Sequence, residues 1–150
     1  MTRRHWTIST ELSGKTREIE VYLYDKVSHM RAAATRWDRS ESTAYRIDFQ
    51  PDKYDRALAV THSFSRVAIA PDGAETPHPR VVILRLVRGF LTPEIVSHEV
   101  VHIAQHLYGL DMYERQGGAE HDHWNASNEP FAYLYGGLFA VVAEMLDGEE

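Results

Sequence analysis

A chain of 150 residues with 43% hydrophobic content can build one hydrophobic core and has no room for a second, so a single domain over residues 1–150 is expected. The net charge of −6 argues against a nucleic-acid partner, which needs clustered Lys and Arg, and the lack of cysteine excludes disulfides and thiolate metal sites. No apolar run reaches the length of a membrane span, and Met1 to Trp6 lacks the apolar stretch of a signal peptide, so no membrane partner and a cytoplasmic location are expected.

Ile19, Val21 and Leu23 alternate with Glu20, Tyr22 and Tyr24, which predicts a half-buried strand over residues 18–24. Val27, Met30, Ala34 and Trp37 then recur at helical spacing, with Ala32 and Ala33 adding propensity. Arg31, Arg36 and Arg39 on this helix are interspersed with Asp38 and Glu41 and read as a solvated face. Tyr45, Ile47 and Phe49 alternate in a second predicted strand, and Leu58, Val60, His62 and Phe64 in a third. Val67 and Ile69 break that phase and place a turn or bulge near Ser65. Pro71-Asp72-Gly73 and Pro77-His78-Pro79 punctuate a loop, after which Arg80 to Val87 is a strand with a near-continuous apolar core. His62, at an apolar-phase position, reads as a hydrogen-bonded structural residue, as do His29 and His78.

The next helix carries the chemistry. Thr92 is a good N-cap, Pro93 suits the first helical position, Glu94 complements the dipole and Gly109 reads as a stop, predicting a helix over Pro93 to Tyr108. Ile95, Val96, Val100, Ile103 and Leu107 form its apolar stripe; His98, Glu99, His102 and His106 form a polar one. His98-Glu99-Val100-Val101-His102 is an H-E-x-x-H sequence, and two histidines four positions apart share one helix face, where two imidazoles converge on a Zn²⁺ ion. Glu99 then stands at the open side of the metal, placed to move protons. His106 lies roughly 12 Å along the axis from His98, too far for one ion to take all three from a straight helix, so it is expected in the pocket wall.

Zinc needs a further protein ligand. Asn128 and Pro130 open a second amphipathic helix in which Phe131, Leu134, Leu138, Val142 and Met145 recur at helical spacing, with Glu129 in its first turn. Gly136 and Gly137 in that helix are expected to serve close helix approach or clearance for a substrate. The 20-residue interval from Gly109 to Asn128 has little periodicity and holds Glu120, His121 and His123. Either histidine, or Glu120, can stand in for Glu129 as the third ligand. His123 and Tyr133 are candidates to donate a hydrogen bond to a developing oxyanion, with His121 and Tyr135 as further possibilities.

His98-Glu99-x-x-His102 followed by Glu129 in Asn128-Glu129-Pro130-Phe131-Ala132-Tyr133 resembles the glutamate-zincin (gluzincin) metallopeptidases, most closely the small single-domain forms of bacteria and their phages. The resemblance runs from about Pro93 to Met145 and implies His98, His102 and Glu129 as zinc ligands and Glu99 as general base. It departs from the pattern at Tyr133, where some members keep a carboxylate. It also implies that an extended peptide binds along the sheet edge beside the metal helix. The chain is thus expected to be an α+β, zincin-like domain whose small mixed or antiparallel sheet packs on the motif helix and on a C-terminal helix bearing the glutamate. The expected function is a zinc metallopeptidase acting on a peptide or protein. Two alternatives remain: a structural or interaction protein, such as a phage particle component, that uses zinc to lock its helices, and a zinc hydrolase of a non-peptide amide.

Overall fold

Residues 3–150 are described by a computed structural model, so Met1 and Thr2 of the Met1–Trp6 stretch lie outside it. The chain is a small α+β fold with a mixed sheet and three helices, in the order β1 (Arg3–Thr10), β2 (Arg17–Tyr24), α1 (Val27–Tyr45), β3 (Val60–Ser63), β4 (Val67–Ile69), β5 (Glu75–Pro77), β6 (Arg80–Val87), α2 (Pro93–Asp111) and α3 (Glu129–Met145). Two short 3₁₀ turns, Glu114–Gln116 and Gly118–Glu120, lie between α2 and α3. Among the described residues no helix is long and apolar enough to cross a membrane.

The main sheet has the strand order β1-β2-β6-β3, with β2 parallel to β6 and the outer pairs antiparallel. Successive strand side chains alternate between faces, and the two faces of this sheet meet different helices. Ile19, Val21, Leu23, Val82, Leu84 and Leu86 form one core with Val100, Ile103 and Leu107 of α2 and Leu134, Leu138 and Val142 of α3. Tyr24, Val60 and Val87 meet Met30, Ala33 and Ala34 of α1 on the other side. Burial on both faces explains why β6 reads as an unbroken apolar run, whereas β2 alternates.

Several expected boundaries shift. Tyr45 does not enter a strand: α1 runs on to it, Arg46 closes the helix at φ 54°, and Ile47 is exposed with no partner strand beside it. Three alternating residues carry no strand unless a neighbour supplies the ladder. β1 has no clear signature, because only Trp6 and Ile8 mark its inner face; it forms by pairing along β2 from Arg3↔Tyr24 to Thr10↔Arg17. The phase break near Ser65 is where the β4–β5 hairpin leaves the sheet, with Pro71-Asp72-Gly73 at its turn. Gly109 does not stop α2. The helix continues to Asp111, whose buried carboxylate accepts from Arg17 Nη2 and Ser13 Oγ, each at 2.5 Å, so a tertiary ion pair holds the last turn that a glycine would release.

Candidate active site

The local signals at the start of α2 all appear: Thr92 Oγ1 accepts from the Ile95 amide, and Pro93 and Glu94 occupy the first turn. The apolar stripe is buried, which turns His98 and His102 to the exposed side. There the two Nε2 atoms approach to 3.3 Å with the rings edge to face. Two nitrogens each ~2.1 Å from one tetrahedral ion are separated by ~3.4 Å, so the donor chemistry and the spacing of this pair fit zinc.

Glu99 lies beside them, turned toward β3 and the floor of the cleft, and is only 7% exposed. Thr61 Oγ1 donates to its Oε2 at 2.5 Å, a bond from the middle of β3 to the middle of α2. β3 is an outer strand of the sheet. The Phe64 amide donates to Val81 O, and antiparallel ladders alternate inward and outward every residue, so His62 and Val60 face β6 while Thr61 and Ser63 present their N–H and C=O to the open edge. Farther along, His106 Nε2 donates to Phe64 O at 3.0 Å and ties the end of β3 to α2. Burial pulls the His106 pKa below its ordinary value, the Phe64 carbonyl offsetting only part of this, and the bond commits its Nε2 to the strand. As expected, His106 is a wall residue.

Between β3 and α2 runs an open cleft made of two adjoining hollows of about 490 and 340 Å³, which share Ala57, Ala59 and Glu99. His102, Gln105 and His106 line the larger, with Thr61 and Ser63 opposite. His98, Glu94 and Ile95 line the smaller, with Arg56 and Leu58 opposite. Glu99 therefore sits midway along the cleft, flanked by one histidine on either side.

The rest of the expected site is distributed less simply. Asn128 caps α3 by accepting from the Phe131 amide, which leaves Glu129 at the first helical position with an exposed side chain. Among the described residues no group of three or more His, Asp or Glu side chains is assembled for a metal, so Glu129 does not reach the histidine pair in this side-chain arrangement. Tyr133, one turn on, is 76% exposed. His123 is buried, with Nδ1 at 2.7 Å from Tyr108 Oη and Nε2 at 2.5 Å from Gly118 O. Asn128 Nδ2 donates to the same Tyr108 Oη and to His123 O. Both ring nitrogens are thus hydrogen-bonded, and His123 braces the loop that precedes Glu129. Glu120 and His121 are exposed. The glycine pair does not lie between the helices either. A Cβ on Gly137 would meet Leu12 Cδ1 at 3.0 Å, and one on Gly136 would meet open space.

Thr61 and Tyr54 are site residues that carry no local signal, because the Thr61–Glu99 contact spans 38 positions and Tyr54 sits in a segment without periodicity. Beneath β3, His62 accepts from Arg85 Nε at 3.0 Å and its ring lies 4.2 Å from that of Trp37. The bond from Arg85 fixes the proton on Nδ1, which faces Tyr54 Oη at 3.5 Å and Asp38 Oδ1 at 3.8 Å. The structural role expected of His62 is the one it has. No protein-family model, curated protein or solved structure matches the chain.

Proposed function

We propose that this chain is a zinc-dependent metallopeptidase with a zincin-like arrangement, cutting a peptide laid along the free edge of β3. The observation that carries the reading is the 3.3 Å approach of His98 Nε2 to His102 Nε2 on the open side of α2, with Glu99 between them in a cleft bounded by an unpaired strand edge. The chemistry that zinc supplies when bound is Lewis acidity, toward a carbonyl and toward water. His98 and His102 would hold it. Glu129 is the preferred third ligand: its side chain makes no hydrogen bond or ion pair among the described residues, and its helix packs on α2. Glu120 and His121 are the remaining alternatives, His123 being committed.

Glu99 is the general base. Thr61 occupies Oε2, which leaves Oε1 to take the proton of the attacking water and return it to the leaving amine. The Thr61 bond also limits the rotation of the carboxylate, so that the proton acceptor is oriented before substrate arrives. Thr61 and Ser63 offer outward backbone groups that align an extended peptide by strand addition, and a peptide is the substrate class such an edge selects. Tyr133, exposed one turn after Glu129, is the candidate donor to the oxyanion.

Metal content per chain tests this directly. About one zinc in the wild type and a marked loss in Glu129→Ala are expected, with Glu99→Gln keeping the metal and losing turnover of a mixed peptide library. One zinc in both the wild type and Glu129→Ala would move the third ligand to Glu120 or His121. No zinc in the wild type, or turnover surviving in Glu99→Gln, would overturn the proposal.

A further inference from the structure

Beyond the end of β3 lies a further hollow of about 430 Å³, which shares Ser63 with the larger hollow of the cleft. It lies on the α1 face of the sheet, between α1 and the segment that follows it. Trp37 forms an inner wall, its ring 5.6 Å from that of Phe64, while Tyr45 and Ile47, 60% and 63% exposed, form the mouth. Two cations line the hollow, and both are already engaged. Lys53 Nζ is 3.3 Å from Asp38 and lies over the Tyr54 ring; Arg66 is paired with Glu41 and lies over the Phe64 ring. The Asp48 carboxylate at the mouth has no hydrogen bond or ion pair among the described residues. Trp37, Phe64, Tyr45 and Ile47 give the hollow one aromatic and aliphatic side beside its polar lining, and with the unpaired carboxylate at the mouth that side matches a long aliphatic stem with a cationic head.

We infer that this hollow is a specificity subsite for an arginine or lysine side chain of the peptide bound along β3. The inference rests on the peptide reading above. A strand added to the edge of β3 turns every second side chain to the α1 face, and only those side chains reach the hollow. Thr61 stands beside Glu99, and Ser63 is two residues farther along the strand, roughly 7 Å away at the rise of a β-strand. The basic residue therefore lies two or three positions from the bond that is cut. An acidic side chain at that position would face Asp48, and the cations it would meet are already drawn to Asp38 and Glu41.

The test uses fluorescein-labelled octapeptides of alanine carrying a single Arg, norleucine or Glu at each position in turn, with anisotropy measured on full-length Glu99→Gln so that nothing is cut. Arginine at one register is expected to bind about fivefold tighter than norleucine, the upper range for a partly solvated ion pair. That advantage disappears in Asp48→Asn and reverses toward Glu in Asp48→Lys. Equal binding of the Arg and norleucine peptides, or an arginine preference that survives Asp48→Asn, would overturn the subsite. Incubating the same peptides with zinc-loaded wild type separates this inference from the one beneath it. Peptides bound with an Asp48-dependent arginine preference but never cleaved would leave the subsite standing and overturn the peptidase, cleavage without any basic preference would do the reverse, and failure of every peptide to bind would overturn both.

Discussion

Lowering the pH from about 7.5 to about 5 should remove about 2 kcal/mol of stability through one side chain, His62. The ring is 4% exposed on β3, and burial first, then the Arg85 and Lys53 charges, push its pKa down from 6.5 to about 3. The unfolded chain takes a proton on this ring near 6.5, whereas the folded chain resists it until about 3. The contribution is therefore complete above the unfolded value and is lost progressively as the pH falls toward the folded one. At about 1.36 kcal/mol per pKa unit the full loss is about 5 kcal/mol, of which about 2 kcal/mol falls above pH 5. The groups facing His62 from other elements are Asp38 and Trp37 of α1, Tyr54 and Arg85; of these only the Asp38 carboxylate, at 3.8 Å, favours the protonated ring. The comparison is His62→Gln, whose amide oxygen can still accept from Arg85 Nε but cannot titrate. In urea melts at the two pH values the wild-type midpoint should fall by about 1 M more than that of the variant, for an m-value of ~2 kcal/mol/M. Parallel pH dependence in the two proteins would refute the reasoning.

Three further outcomes are expected. Thr61→Val removes the donor to Glu99 Oε2 without changing side-chain shape, so zinc content should hold while turnover of the peptide library drops about tenfold and returns in Thr61→Ser; full turnover in Thr61→Val would show that the bond does not orient the base. Gly136→Ala should raise stability by up to about 1 kcal/mol, because its Cβ enters open space, whereas Gly137→Ala gains less or loses as Leu12 is pushed aside, and the ranking is read from thermal melts. Asp111→Asn should cost about 3–5 kcal/mol by leaving the buried Arg17 without its counter-charge. Burial alone would raise the Asp111 carboxyl, but the Arg17 and Ser13 hydrogen bonds and the Arg17 charge outweigh it and hold the pKa below 3.8. The pair therefore contributes fully above that unfolded value and is lost as the pH falls through the lower folded one, so the stability difference between wild type and Asp111→Asn should shrink in acid.

The sequence by itself determined the elements whose causes are local. Thr92 and Asn128 cap the helices they were expected to cap, and the apolar stripe of α2 turns His98 and His102 together to one side, because caps and helical spacing act within a turn of their own residues. β6 was legible in the same way, being apolar on both faces. Tertiary structure decided what depends on a partner distant in sequence. Which strand forms the exposed edge follows from β6 inserting between β2 and β3, a pairing that no pattern within β3 encodes. The ring nitrogens of His123 meet Tyr108 and Gly118, partners that no pattern around His123 announces. Asp111 carries α2 past Gly109 for a similar reason: an ion pair to Arg17, 94 positions away, outweighs a local preference worth about 1 kcal/mol. The cleft itself belongs to the same class. The Thr61 hydroxyl that meets Glu99 arrives on β3, 38 positions away, and only the packing of that strand against α2 brings donor and carboxylate within reach.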